Sequence, residues 1–292
     1  MVKYFEGSKY PYDIMVLSYF DFQSNSIFNY KGEKRMKENS KFKPLITYFI
    51  WLICFLLIQS VWAWVFLKFR IGDGFDLQKR ILFRMGILEV IMLIFCWILN
   101  HFYTHEKLLF KKTFYLSFLG DFLIVFYMVV FEKNLYRIHV PLFCLITALL
   151  VACAEEFIMR GMLLPSIMHH VHKTHVIWKG IFLSSFLFGI THLMNILHQS
   201  AYQTMLQMIG TFLLGIILAV IYLKSGNLIM PILLHGFLDA CSIGISTSHS
   251  TTMLNNHGNP LGTLILFVLA LLFLATVVSK KQQAKIEKRF NV

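Results

Sequence analysis

Long apolar runs separated by short polar stretches dominate the chain. A helix that crosses a bilayer needs roughly 20 consecutive apolar residues. Eight runs meet or approach that length: 44–67, 82–100, 114–131, 138–164, 179–198, 203–223, 228–246 and 261–279. The pattern predicts an all-α fold, a polytopic bundle of about eight transmembrane helices in a multi-pass membrane protein. Composition agrees. Hydrophobic residues make up 57% of the 292 positions, charged residues only 14%, and mean hydropathy is +0.65. A soluble domain of this length carries far more charge.

The net charge of +12 would suit a nucleic-acid binder. Its distribution argues otherwise, because the basic residues cluster beside the apolar runs, as membrane topology requires. Six fall in 31–43 and five between Lys280 and Arg289. Eight spans put both termini on one side, and the positive-inside rule makes that side cytoplasmic. The loops near 199–202 and 247–260, placed outside, carry no Lys or Arg, whereas 68–80 is basic yet also falls outside. The first two spans are therefore the least constrained. The five cysteines (Cys54, Cys96, Cys144, Cys153 and Cys241) sit in apolar stretches without CxxC spacing. They read as small buried hydrophobes rather than disulfides or a zinc knuckle.

Three regions follow: a polar segment 1–40, a membrane domain 41–285, and a basic cytoplasmic tail 280–292. The first 35 residues lack the apolar core of a cleavable signal peptide. Lys31-Gly32-Glu33 can be encoded as AAAGGAGAA, which contains a bacterial ribosome-binding sequence ahead of Met36. Met36 is therefore an alternative start, and the expected location is a bacterial plasma membrane.

An ionisable group in hydrocarbon costs several kcal/mol unless paired or hydrated, so each one in a span calls for a reason. In LVACAEEFIMRG, Glu156 and Arg160 are four apart and share a helix face, while Glu155 points about 100° away. A stabilising ion pair explains Glu156 and Arg160 but leaves Glu155 unexplained. In the next run Phe188 and His192 are four apart, and Asn195 follows on the same side. In 228–246, His235 and Asp239 are four apart, with Gly236 allowing a close helix approach. Each cluster alone reads as a local hydrogen bond. Three of them, on three spans, supply what hydrolysis needs: a carboxylate to take a proton from water, a histidine to orient it, and groups to face an oxyanion. Counted at about 1.5 Å per residue, His235 lies roughly 10 Å deep, Glu155 about 13 Å and His192 near 20 Å, a gap that helix tilt, or a fifth helix beginning in the cytoplasm around His175, would close.

These residues resemble the CAAX prenyl endopeptidase and bacteriocin-processing family of intramembrane proteases (CPBP, or Abi). The family signature EExxxR, FxxxH and HxxxN/D reads here Glu155–Arg160, Phe188–His192 and His235–Asp239, covering about residues 140–245. The resemblance implies an eight-span fold and an endopeptidase in which Glu155 is the general base. His192 would hold the water, Glu156 and Arg160 would fix the helix, and His235 with Asp239 would stabilise the oxyanion; Phe188 and Asn195 would support them. It leaves open whether zinc or another divalent metal takes part, with Glu155, His192, His235 and Asp239 as the ligands, or no cofactor at all. Asp239 departs from the Asn typical of prenyl-protein members, and an Asp donates to an oxyanion only when protonated. The implied partners are the lipid bilayer and a membrane-embedded or membrane-associated peptide, with no nucleic acid. The implied setting is bacteriocin or signal-peptide processing, or bacteriocin self-immunity.

Two further features stand outside that set. The run 169–175 holds four histidines and reads as a solvated cytoplasmic linker or a loose metal trap. Glu89 and Asp121 read either as a proton path of the transporter kind or as residues that snorkel or pair with Arg84. The rival readings are therefore a catalytically silent membrane scaffold and a proton-coupled transporter.

Overall fold

The computed structural model describes residues 42–72, 74–111, 142–171, 174–248 and 260–292. The chain divides into Met1–Asn39 and Ser40–Val292, and the elements below belong to the second unit. The Met36 start, the run 114–131 with Asp121, and His172 of the histidine run lie outside the described residues.

Every described apolar run carries a helix. Numbered in order, these are α1 (Lys43–Lys68), α2 (Leu77–Leu99), α3 (Leu142–Glu156), α4 (Leu164–His170), α5 (Val176–Thr191), α6 (Ala201–Ser225), α7 (Ile229–Ser248), α8 (Pro260–Ala275) and α9 (Lys280–Phe290). No strand forms among the described residues. Among the described residues, five continuous stretches are long and apolar enough to cross a membrane: Lys43–Lys68, Lys79–Thr104, Leu142–His170, Val176–Leu197 and Ala201–Ser225. The pair α8 and α9, bent by 87°, makes a sixth candidate, and Ile229–Ser242 is a shorter apolar helix.

Local chemistry fixes the ends. Pro44 sits in the first turn of α1, where its missing N–H costs nothing. Asp76 caps α2 by accepting from the Lys79 backbone N–H at 2.8 Å. Ser200 and Gln203 form a capping box at the start of α6, and Gly226 ends that helix at φ +64°.

Helix α6 is the central pillar, with every residue from Leu213 to Leu223 buried. Around it pack Ile181 of α5, Leu234 of α7, Phe273 of α8 and Phe290 of α9. A second cluster joins Tyr48 and Trp51 of α1, Met92 and Cys96 of α2, Ala154 of α3 and Ile158 just beyond it. Outward faces stay apolar: Leu57, Val61 and Trp64 on α1 and Phe267 and Leu271 on α8 are exposed. That pattern suits a helix surrounded by acyl chains rather than water.

Small residues allow two close helix approaches. A Cβ on Gly236 of α7 would meet Leu149 Cδ2 of α3 at 2.8 Å and its Cα at 3.3 Å. A Cβ on Gly215 of α6 would stand 2.9 Å from Ser185 Cβ of α5. In lipid, where apolar burial no longer drives association, such backbone proximity is what holds helices together.

Two details differ from the sequence expectation, and a third adds to it. The run at 138–164 is not one regular helix: a π-helical turn, Phe157–Leu163, follows α3 and carries Arg160. The histidine run does not begin as a solvated linker. His169 Nδ1 lies 3.1 Å from Glu106 Oε2, and its Nε2 lies 2.8 Å from the Phe290 carbonyl oxygen. Nor does the basic tail stand free. Ser279 caps α9, Ile286 and Phe290 are buried, and the Phe290 ring meets Tyr222 edge-on at 5.4 Å. Arg289 donates to the carbonyls of Leu223 and Lys224 at the end of α6.

Candidate active site

The site grows from the end of α3. Glu156 closes that helix with its side chain fully buried, and the π turn then swings Arg160 back beneath it. Arg160 Nη1 donates to Glu156 Oε1 at 2.6 Å, and Nη2 donates to the Gly215 carbonyl of α6 at 3.2 Å. The guanidinium also lies over the Phe188 ring of α5, 4.7 Å from its centroid. A cation buried this completely is tolerable only with such partners: a carboxylate, a carbonyl and an aromatic face.

Helix α7 closes the site from the other side. Because Gly236 lets α7 lie directly on α3, His235 reaches Glu156, with Nδ1 2.9 Å from Oε1. One carboxylate oxygen thus joins an arginine of the π turn to a histidine of another helix. A carboxylate only accepts, so His235 Nδ1 carries a proton. Glu156 Oε2 is buried and has no hydrogen-bond partner among the described residues. The other ring nitrogen, His235 Nε2, faces Asp239 Oδ2 at 3.5 Å and Glu155 Oε2 at 3.6 Å.

The two adjacent glutamates therefore differ sharply. The Glu156 side chain is 0% exposed and held by two cationic or polar partners, whereas Glu155 is 28% exposed and Asp239 31%. Glu155 is thus the more exposed of the two glutamates and stands next to His235.

Phe188 links the third motif. Its ring meets His235 edge-on at 5.7 Å and His192 edge-on at 5.5 Å. His192 ends α5 and begins a 3-10 turn, His192–Leu197. Its Nδ1 lies 3.1 Å from Thr191 Oγ1 and 3.2 Å from the Phe188 carbonyl oxygen. Phe188 thus touches both histidines, which a count of helical rise places about 10 Å apart in depth.

Asn195 goes elsewhere: its side chain donates to Gln207 Oε1 of α6 at 2.9 Å. Three partners were not singled out in the sequence. The Gly215 carbonyl and Gln207 lie in an otherwise ordinary apolar span. Thr191 is an unremarkable hydroxyl one residue before His192.

Glu89 of α2 lies half-buried, with Glu155 and Asp239 as its electrostatic neighbours. No ion pair joins it to Arg84, whose guanidinium lies over the Phe66 ring at 5.7 Å. Among the described residues no three His, Cys, Asp or Glu side chains stand so that they could hold a metal ion. The proposed ligand set Glu155, His192, His235 and Asp239 does not form such an arrangement. Glu155 and Asp239 flank His235 Nε2, while His192 Nδ1 is engaged on its own helix.

Comparison with known proteins agrees with the motifs. Residues 137–241 match the family described as Type II CAAX prenyl endopeptidase Rce1-like, and this stretch carries all three motifs. An uncharacterized 24.3 kDa protein of Escherichia coli is 33% identical over 91 residues, 31% of this chain and 37% of that protein. The chain thus spans little more than a third of the length of the curated relative it matches. No solved structure matches.

Proposed function

We propose that the protein is an intramembrane endopeptidase that uses Glu155 to activate water against a membrane-associated peptide. One observation carries the reading. Glu156 is sealed and held by Arg160 and His235, while the adjacent Glu155 is left partly open beside His235 Nε2. A purely structural ion pair needs only the first glutamate.

In this reading the substrate carbonyl enters beside Glu155. Glu155 takes a proton from water, and the hydroxide adds to the carbonyl carbon while His192 orients it. The carbonyl oxygen becomes an oxyanion facing His235, whose ring Asp239 and Glu156 hold in place. When the C–N bond breaks, Glu155 returns the proton to the leaving amine, giving an acid and an amine. Asp239 acts chiefly by orienting His235, since an ionised carboxylate cannot donate to the oxyanion. The surrounding apolar faces favour a substrate held in or on the bilayer. Bacteriocin or signal-peptide processing, or self-immunity, in a bacterial plasma membrane is the setting that suits it.

The test is cleavage of an internally quenched peptide with an apolar tail by purified protein in detergent. Wild type is compared with Glu155→Ala and His192→Ala, with and without a chelator. The reading expects cleavage by wild type only and indifference to the chelator. Undiminished cleavage in both variants contradicts it and favours a membrane scaffold accompanied by a contaminating protease.

A further inference from the structure

The turn that begins with His192 raises a problem of support. None of the six residues His192–Leu197 is buried, and Leu193, Met194, Ile196 and Leu197 point outward. Core packing therefore does not fix the turn. A 3-10 turn has three residues per turn, so Asn195 lies directly above His192 on the same face.

Asn195 is where the turn meets α6. Its Nδ2 donates to Gln207 Oε1 at 2.9 Å. Gln199, just past the turn, donates from Nε2 to the same oxygen at 2.9 Å and to Thr204 Oγ1 at 3.2 Å. Two backbone bonds close the segment, from the N–H groups of His198 and Gln199 to the Asn195 carbonyl. Just beside this point α5 touches α6 tightly, since a Cβ on Gly189 would meet the Met208 carbonyl oxygen at 2.9 Å.

The chemistry fixes which end of each amide points where. The Thr204 hydroxyl donates its only proton to the Ser200 carbonyl at 3.1 Å, so toward Gln199 it can only accept. Gln199 must therefore present its NH2 to Thr204. The same nitrogen reaches Gln207, so Gln207 presents oxygen. Asn195 meets that oxygen too, so Asn195 presents its NH2. Gln207 Oε1 thus takes two donors, the full capacity of a carbonyl oxygen.

We propose that Gln207 is a positioning residue. Its side-chain oxygen ties the His192 turn to the central helix and so sets where His192 stands over the site. The inference rests on the endopeptidase reading, since it gives Gln207 a role through His192. What the turn needs from position 207 is an acceptor, not an amide. Glutamate meets that need, and leucine, of similar bulk, does not.

The experiment compares wild type, Gln207→Leu, Gln207→Glu and Glu155→Gln. It measures kcat and KM on the quenched peptide, the thermal unfolding midpoint in detergent, and hydrogen exchange of residues 192–199. Gln207→Leu should lower kcat about tenfold to a hundredfold, the scale of a misplaced catalytic group, with KM unchanged within about twofold. Its midpoint should hold while exchange in the turn rises. Gln207→Glu should keep most of the activity and the protection. If Gln207→Leu does not fold, Asn195→Leu removes one donor of the same junction and carries the same expectations. Full kcat in Gln207→Leu, with Glu155→Gln inactive, overturns the positioning role and leaves the endopeptidase reading standing. A Gln207→Glu variant as damaged as the leucine variant also overturns it. Full activity in Glu155→Gln removes both.

Discussion

At the scale of the residue, two neighbouring glutamates lie in different environments. Glu156, Arg160 and His235 form one buried unit around a single carboxylate oxygen. Breaking such a unit by removing one member leaves an uncompensated charge in the interior. Arg160→Met should therefore destabilise the protein by about 3–5 kcal/mol in detergent unfolding. The double variant Glu156→Gln, Arg160→Met should recover part of that loss, because no lone charge remains. A single and a double variant that unfold alike would show that the pair is not an energetic unit. These residues were legible in the sequence because a charge in an apolar run is conspicuous, and spacing of four places two of them on one face. Gln207 was not legible. An uncharged amide in a span raises no alarm, and its importance comes only from what α6 lies beside.

At the scale of the element, close contact between helices brings the motifs together. Helix α7 lies on α3 because Gly236 lacks a side chain, and His235 is the residue just before it. Gly236→Val forces side-chain atoms into Leu149 and its backbone, and overpacking of this kind costs about 1–3 kcal/mol. The variant should unfold at lower temperature and lose cleavage, since His235 moves away from Glu156. Gly210→Ala is the control: the nearest atom to a Cβ there is Leu266 Cδ1 at 3.9 Å, so stability and activity should stay as in wild type. Equal damage from both variants would argue against the specific α3–α7 contact. Helix positions followed well from the apolar runs, because lipid demands length and hydropathy and little else. The departures from regular helix did not. The π turn at Phe157–Leu163 lets Arg160 reach Glu156, Gly215 and Phe188 together, and no periodicity in so largely apolar a run announces it.

At the scale of the whole molecule, α9 shows a charge run doing structural work. The sequence reads as a basic tail, yet Ile286 and Phe290 are four apart and both are buried. Phe290→Ala should cost about 3 kcal/mol, the usual penalty for emptying an aromatic site. Unfolding in detergent measures it, and an unchanged midpoint would mean that α9 is not docked. The spacing of those two apolar residues was readable, but the surrounding charges outweighed it. By the positive-inside rule, the lysines and arginines beside the first and last spans predict that both ends face the cytoplasm. A fluorescent protein fused after Val292 should fluoresce in a bacterial host, and a periplasmic phosphatase fused there should be inactive. The opposite pair of results would reverse the bundle.

The central claim is a division of labour between Glu155 and Glu156, and one paired measurement tests it. Purified Glu155→Gln and Glu156→Gln are compared with wild type for peptide cleavage and thermal unfolding. The account expects Glu155→Gln to unfold with wild type and lose cleavage by about a thousandfold or more, as removal of a general base requires. It expects Glu156→Gln to unfold earlier, because Arg160 is left buried without its charge partner. Cleavage that survives in Glu155→Gln would contradict the account.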